Sequence, residues 1–198
     1  MFCLTLDPSH GSLIKKLSYI PVGLGNEKFP SYFLKDNEGE NVSKKNLYYG
    51  EYTFHYWIWK NHLKNIKTEW VGFCQYRKFF VKETVSNNDL SFENLKKISI
   101  NSIDQNDLNY QCILGKKFSV ENFKLSKIIK NHLKEFLLNP KLIFNKKFRS
   151  LKFHFDLFHG KGNLDLAINQ LDDKNKNDFR NYMNKNTAFN PHNMFICK

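Results

Sequence analysis

The chain has 198 residues, of which 41% are hydrophobic and 16% aromatic. This length predicts one domain with a substantial core, and the apolar content excludes a disordered chain. The formal net charge of +12 leaves nucleic acid, anionic lipid and phosphorylated small molecules as partner classes. Most of the excess lies in residues 116–152, which contain eleven Lys or Arg and two Glu.

The four cysteines, Cys3, Cys74, Cys112 and Cys197, form no CxxC pair and no cluster with His at zinc-ligand spacing. Three lie in apolar runs, where Cys behaves as a small hydrophobic residue, and this pattern suits a reducing cytosol. The N-terminus lacks the regions of a signal peptide, and no run approaches 18 apolar residues. We therefore expect a cytoplasmic protein that is soluble or lies on a membrane.

The first predicted element is a strand in the apolar run 1–6, followed by a long loop over 19–46 that is rich in Gly, Asn, Pro and Asp. Ser43 is a suitable N-cap for a helix that runs to about Leu63. Its apolar residues cover most sides, in a stripe of Tyr48, Tyr52, Tyr56, Trp59 and Leu63 and a second set of Leu47, Phe54 and Ile58. Such a pattern predicts a helix buried at the domain centre.

The rest of the chain mixes predicted strands and helices. The strands are 70–74, 110–114 and 193–197, the helices are 121–138, 163–172 and 175–184, and an exposed loop covers 85–90. Pro140 ends the first of these helices. Its lysine face could lie on anionic lipid, but a surface helix with solvated lysines has the same pattern and is preferred. The element order favours an α/β sheet with helices on its faces.

Common site signatures are missing. The sequence has no P-loop, no GxSxG and no HExxH, and the GxG of Gly23 and Gly25 lacks the rest of a dinucleotide-binding fingerprint. No RRM, KH or helix-turn-helix signature is present, so we expect no nucleic-acid partner. Glu51, His55 and His62 fall close together on the predicted helix and could bind a metal, although satisfied polar groups are the more common explanation.

Two polar stretches remain as candidate binding sites. Residues 36–46 enter a predicted helix N-terminus with Asn and Ser side chains, which suit an anion or a sugar hydroxyl. Residues 75–78 follow a predicted strand, at the position where ligands of open α/β sheets gather. Arg77 and Lys78 could neutralise a diphosphate there. A solvated loop and an exposed basic strand end are the alternative explanations.

Together, the stretches DNEGENVSKKNLYYGEYTFHYWIWKN and WVGFCQYRKFF resemble the bacterial family DUF4422. The matching residues are Asp36, Asn37, Gly39, Asn41, Ser43, Lys45, Asn46, Glu51, Thr53, Tyr56, Trp57, Trp59, Lys60, Asn61, Gly72, Cys74, Tyr76, Arg77 and Phe80. The resemblance is strong over 20–80, weak over 82–160, and returns at 189–197. Gln75 and Lys78 stand where the family has His and Arg.

Members of the family are found in capsule and lipopolysaccharide gene clusters and are taken to be glycosyltransferases. The resemblance implies a GT-A-like α/β fold, with a mixed sheet flanked by helices. It implies transfer of a sugar from a nucleotide-sugar donor, a UDP-sugar, to a glycan or lipid-linked acceptor of a surface polysaccharide. The enzyme would work in the cytoplasm at the inner face of the membrane, where the basic segment 116–152 could contact anionic lipid.

The resemblance covers one domain over 1–198, truncated at its C-terminus relative to the family pattern. A non-catalytic nucleotide- or glycan-binding remnant is therefore the alternative function. For donor binding, the resemblance implies Asp36, Asn37, Asn41, Ser43, Asn46, Tyr76, Arg77 and Lys78.

Many GT-A enzymes use a DxD motif and a divalent metal to stabilise the leaving nucleoside diphosphate. Tyr-Arg-Lys occupies that place here, so Arg77 and Lys78 are expected to replace the metal in part, and metal dependence stays open. The catalytic candidates are Asp165 and His159, which resemble the family's H…D region, and Glu51. Asp156 is a further carboxylate candidate, and Glu51 could instead anchor the buried helix.

Overall fold

A computed structural model of the chain describes residues 1–82, 91–121, 133–138, 140–145 and 148–198. The chain forms two compact units. Unit 1 comprises Met1–Gly115 and His192–Lys198, and unit 2 comprises Lys116–Pro191. None of the helices in these described ranges is long and apolar enough to cross a membrane. The assignment of 1–198 to a single truncated domain stays a prediction.

Unit 1 is built on a six-stranded mixed sheet. Its strands are β1 (Phe2–Thr5), β2 (Ile20–Gly23), β3 (Leu34–Lys35), β4 (Val71–Gln75), β5 (Cys112–Leu114) and β8 (Phe195–Cys197). The intervening strands β6 (Phe118–Ser119) and β7 (Ala188–Phe189) belong to unit 2. The order is β3-β2-β1-β4-β8-β5. β1 to β4 run parallel, and β8 runs antiparallel to both β4 and β5. The predicted mixed sheet is confirmed.

Helices cover both faces of this sheet. α3 (Tyr52–Asn61) packs on one face and α1 (Gly11–Lys16) and α4 (Phe92–Ile98) on the other, whereas α2 (Asn46–Tyr49) buries no residue. Successive strand residues point to opposite faces. Phe2 and Phe73 therefore pack against Phe54 of α3 on one face, while Cys3 packs with Ile14 of α1 on the other. The predicted α/β architecture with helices flanking the sheet is confirmed.

The long loop predicted over 19–46 is only partly a loop, because it contains β2 and β3. Pro and Gly in Ile20–Gly23 resemble turn residues in the sequence. However, every residue of β2 has a register partner in β1, from Phe2 opposite Ile20 to Thr5 opposite Gly23. Tertiary pairing therefore holds this segment extended despite its local composition.

The single helix predicted from Ser43 to about Leu63 is wrong. The chain forms a 3-10 turn at Ser43–Lys45, then α2, a break at Gly50 and then α3. Gly50 has φ +52° and ψ −130°, which side-chain-bearing residues rarely adopt, so the helix is interrupted there. Val42 precedes the 3-10 turn, and the Ser43 side chain does not act as the cap.

All-round burial of this segment is also wrong. α3 buries Phe54, Trp57 and Ile58 against the sheet, whereas Leu47 is 86% exposed and Tyr48 82% exposed. The apolar spacing indicated helical periodicity, but only one face of a helix on a sheet surface meets a core. The outer stripe is mostly aromatic residues with polar atoms, which tolerate water at one end.

Unit 2 is helical with a short two-stranded sheet of β6 and β7. Its helices are α5 (Leu133–Leu138), α6 (Lys141–Phe144), α7 (Leu151–His159), α8 (Asn163–Ile168) and α9 (Asp173–Lys185). The last two confirm the helices predicted there. Of the helix predicted over 121–138, residues 122–132 lie outside the described residues, as does the loop predicted over 85–90.

Truncation of Phe54 tests which face of α3 forms the core. Phe54→Ala should lower the free energy of unfolding of unit 1 by about 3–5 kcal/mol, because a fully buried ring leaves a cavity. Leu47→Ala is the matched control and should change it by less than about 0.5 kcal/mol. Urea unfolding followed by tryptophan fluorescence reports unit 1, since Trp57, Trp59 and Trp70 all lie there. Equal effects of the two substitutions would contradict this packing.

Candidate functional site

A cleft in unit 1 lies where the carboxyl ends of β1, β2 and β4 meet. These parallel strands place their following residues at one edge of the sheet. The cleft has a volume of about 140 Å³. Its lining is Leu4, Thr5, Leu6, Leu24, Asn46, Gly50, Glu51, Gln75, Tyr76 and Arg77. Sites for drug-sized ligands enclose roughly 300–1,000 Å³, so this cleft suits one polar part of a larger ligand.

Tyr76 and Arg77 reach the cleft from a tight turn at the end of β4. The Lys78 N–H donates to the Gln75 carbonyl at 3.0 Å and closes the turn. The Tyr76 N–H donates to the Leu4 carbonyl at 3.1 Å, which extends the pairing between β4 and β1 by one residue. Backbone hydrogen bonds therefore fix the position of both residues relative to the strand ends.

The Tyr76 ring is held by a stacked histidine. The rings of Tyr76 and His10 lie 3.9 Å apart between centroids and are 12° from parallel. The His10 Nδ1 is in turn 2.8 Å from the Thr5 hydroxyl, at the end of β1. This chain of contacts fixes one wall of the cleft. Nothing in the sequence pattern had indicated a role for His10 or Thr5.

Arg77 supplies the positive charge of the cleft. Its side chain is exposed, and its Cζ lies 4.9 Å from the centroid of the Tyr76 ring. Within the part of the chain that the structure describes, no ion pair joins Arg77 to a carboxylate. An exposed guanidinium without a carboxylate partner can bind an anion through paired N–H donors.

Glu51 brings a carboxylate to the same cleft. It follows Gly50 and begins the turn into α3. The Gln75 side-chain amide donates to Glu51 Oε1 at 2.5 Å. This bond orients the carboxylate towards the end of β4, so the break at Gly50 and the end of β4 together place an acidic group in the same lining as Arg77.

Asn46 is fixed by a buried polar network. Its Nδ2 donates to the Gly50 carbonyl at 2.9 Å and to the Thr53 hydroxyl at 3.0 Å. Thr53 is fully buried, and its hydroxyl donates to the Gly50 carbonyl at 3.0 Å. Asp36, directly after β3, is buried and lies outside the cleft lining.

The buried carboxyl of Asp36 is incompletely satisfied. Its side chain is 1% exposed, and Oδ2 has no hydrogen-bond partner among the described residues. Burial raises the pKa of Asp36, although hydrogen bonds from Thr53 and from the backbone act in the opposite direction. The protonated form is therefore favoured in the folded state more than in the unfolded state.

The other residues predicted to bind a donor lie outside the lining. Asn37 is exposed. Asn41 Oδ1 accepts from the Ser43 hydroxyl at 2.8 Å, which shapes the turn before α2. Lys78 Nζ lies 3.0 Å from His192 Nδ1. The cleft therefore brings together Asn46, Tyr76 and Arg77 of the predicted donor set, and donor binding by any of these residues stays a prediction.

The sequence profile of the family described as "Domain of unknown function (DUF4422)" matches residues 9–198. The chain belongs to the DUF4422 family. The matched region includes unit 2, unit 1 from residue 9 onward, and all cleft residues except Leu4, Thr5 and Leu6.

No curated protein matches the chain. Among solved structures, the apo structure of the bifunctional glycosyltransferase WbbM has a TM-score of 0.45 and 20% sequence identity. The match covers 91% of this chain and 30% of WbbM, so the DUF4422 chain spans less than a third of that protein.

Glu51, His55 and His62, which could have formed a metal site, are not brought together as ligands among the described residues. His55 packs against Phe73, with ring centroids 4.8 Å apart. Burial lowers the pKa of His55, although the negative charge of Glu51 acts in the opposite direction. His62 stacks on Trp57 instead. In the described ranges, no group of three or more His, Cys, Asp or Glu is placed to hold a metal ion.

Asp165 and His159 of this DUF4422 chain belong to unit 2, whereas Glu51 belongs to unit 1. Lys152 Nζ binds Asp165 at 2.6 Å and Asp156 at 3.0 Å. Partial burial lowers the pKa of Lys152, but the hydrogen bonds to the two carboxylates outweigh it and raise the pKa. His159 is exposed and its ring lies 4.5 Å from that of Phe155. Their catalytic role stays a prediction.

The raised pKa of Asp36 predicts a pH-dependent effect of Asp36→Asn. Because folding favours the protonated acid, this group stabilises most below the unfolded pKa of about 4 and loses that contribution as pH rises. The stability of Asp36→Asn relative to the wild type should therefore increase from pH 4 to pH 8. Urea midpoints from tryptophan fluorescence measure it.

Asp104→Asn, at an exposed site of unit 1, is the control for loss of a carboxylate. The difference in stability between Asp104→Asn and the wild type should change less over the same pH range. A difference for Asp36→Asn that is constant from pH 4 to pH 8 would contradict the buried, desolvated carboxyl.

Proposed function

We propose that this chain is a glycosyltransferase domain that moves a sugar from a nucleotide-sugar donor, a UDP-sugar, to a bacterial surface polysaccharide. The observation that carries the proposal is the cleft at the carboxyl ends of β1, β2 and β4, which combines Arg77 and Glu51. Sugar transfer is the chemistry that the DUF4422 resemblance implies. The acceptor would be capsular or lipopolysaccharide glycan, carried on lipid at the cytoplasmic face of the membrane.

Arg77 would bind the diphosphate of the donor. Breaking the bond between the sugar and the phosphate leaves negative charge on the nucleoside diphosphate, and a placed cation stabilises that charge most in the transition state. Arg77 is exposed at the cleft and forms no ion pair within the described residues. Its guanidinium can pair two N–H groups with phosphate oxygens.

A metal could share this role. Glu51 is the one carboxylate in the described lining, and Mg²⁺ at nucleotide sites is typically held by one or two carboxylates together with substrate phosphates. The lining therefore fits a metal carried mainly by the donor better than a metal held by the protein alone. When bound, the metal would neutralise phosphate charge, and Arg77 would still contact the diphosphate.

Glu51 would act as the general base for the acceptor hydroxyl. A base must lie within hydrogen-bond reach of the proton it removes, and Glu51 lines the cleft where the donor phosphate would sit. The 2.5 Å hydrogen bond from Gln75 holds one carboxylate oxygen and leaves the other oxygen to accept. Asn46 and Tyr76 would orient the donor from the same lining.

Removal of the Arg77 charge should weaken binding of nucleoside diphosphates. Charge-assisted hydrogen bonds contribute about 1.5–3 kcal/mol, so Arg77→Ala should raise Kd roughly ten-fold or more. Lys97→Ala, an exposed lysine of unit 1 outside the cleft lining, removes the same charge and should leave Kd unchanged. Calorimetric titration with UDP, GDP and ADP, with Mg²⁺ and with EDTA, measures both. Equal affinity of wild type and Arg77→Ala under both conditions would refute the assignment.

Loss of the base should separate chemistry from binding. Glu51→Gln should reduce release of nucleoside diphosphate from the best-bound nucleotide sugar by about 10²–10⁴-fold, while donor affinity stays near wild type. Asp165→Asn and His159→Ala, assayed alongside, test the other candidates. Full activity of Glu51→Gln would remove it as the base, and binding without turnover in the wild type would favour a non-catalytic binding domain.

A further inference from the structure

Two thiols lie opposite each other at the edge of the six-stranded sheet. Cys112 of β5 and Cys197 of β8 are register partners in an antiparallel pair. Directly opposed residues of antiparallel strands carry their side chains on the same face. The two cysteines are therefore neighbours on one face of the sheet, although 84 residues separate them in the sequence.

The backbone hydrogen bonds show which kind of opposed pair this is. The Lys198 N–H donates to the Gln111 carbonyl at 3.1 Å, and these two residues flank Cys197 and Cys112. A bond between flanking residues marks a non-hydrogen-bonded pair, in which opposed Cα atoms lie about 4.5 Å apart. Disulfides span Cα separations of roughly 4.4–6.8 Å, so a bridge fits here without separating the strands.

Access to the two thiols also favours reaction. Both are free, Cys112 is exposed and Cys197 is half-buried. Burial raises the pKa of the Cys197 thiol and the neighbouring Cys112 raises it further, which agrees with their proximity. Cys3 and Cys74 are also register partners, but both are almost fully buried, so they provide an internal comparison with little access for an oxidant.

We propose that Cys112 and Cys197 are a redox-active pair that closes to a cross-strand disulfide. The oxidant is a small disulfide of the glutathione type. The exposed Cys112 thiolate attacks one sulfur of the oxidant and releases one small thiol. The Cys197 thiolate then attacks the Cys112 sulfur of the mixed disulfide and releases the second. One S–S bond forms in the protein, and the S–S bond of the oxidant is reduced to two thiols.

The disulfide would close a covalent loop of the chain that contains the whole of unit 2. β5 precedes Lys116–Pro191 and β8 follows it, so a bond between Cys112 and Cys197 joins the strands through which the chain leaves and re-enters unit 1. Cross-linking a loop of this length restricts the unfolded chain strongly. Oxidation should therefore raise the thermal unfolding midpoint by roughly 5–10 °C. This property is independent of any sugar-transfer activity.

Tryptic mapping tests the pair directly, because each cysteine falls in a separate peptide. The peptides are 98–116 for Cys112, 186–198 for Cys197, 1–15 for Cys3 and 68–77 for Cys74. After treatment of the native chain with oxidised glutathione and alkylation under denaturing conditions, peptides 98–116 and 186–198 should be linked. Peptides 1–15 and 68–77 should carry the alkyl group, and dithiothreitol should reverse the link and the rise in midpoint.

Cys112→Ser and Cys197→Ser are the matched variants, and neither should gain thermal stability with oxidant. A glutathione adduct on Cys112 without the linked peptides would overturn the proposal. So would linkage through Cys3 or Cys74, or an equal rise in midpoint for Cys112→Ser.

Discussion

The parallel pairing of β1 with both β2 and β4 is the constraint on which the site depends. β1 is buried along its whole length and lies at the centre of the parallel part of the sheet. Because its two neighbours run in the same direction, three chain segments distant in sequence end at one edge. These three strand ends supply most of the cleft lining, and Asn46, Gly50 and Glu51 supply the rest.

The break at Gly50 connects the sheet edge to the helix layer. Without it, residues 46–61 would continue as one helix, and the positions of Asn46 and Glu51 would be set by helical spacing alone. The turn instead lets Asn46 Nδ2 donate to the Gly50 carbonyl and lets Glu51 accept a hydrogen bond from Gln75. The backbone conformation of Gly50 thus brings Asn46 and the Glu51 carboxylate to a cleft whose positive charge comes from Arg77, after β4.

The positions of β1, β4, β5 and β8 could be predicted because short apolar runs mark them, and the family pattern marks the residues after β4. β2 could not, since Pro21 and Gly23 give a turn-like composition and only pairing with β1 makes the segment extended. The helix break was missed because its apolar periodicity continues across Gly50. Residues such as Leu47 and Phe54 look alike in the sequence, and only contact with the sheet separates them.

Part of the lining of the candidate cleft could also be predicted from the sequence. Arg77, Tyr76 and Asn46 were identified from the pattern, and the structure brings them to one cleft. The sequence predicts that Asp36 contacts the donor; the structure places it buried and outside the cleft lining, and its role stays a prediction. His10 could not be found from sequence, because its ring contact with Tyr76 depends on the packing of two separate connections.

The strand order has a consequence for synthesis of the chain. β4 pairs with β8 on one side, yet Phe195 is made roughly 120 residues after Gln75. At about 5–20 residues per second, one edge of β4 stays without its native partner for roughly 6–24 s on the ribosome. Unpaired strand edges are templates for wrong association, so the nascent chain passes through an interval in which chaperone protection matters most.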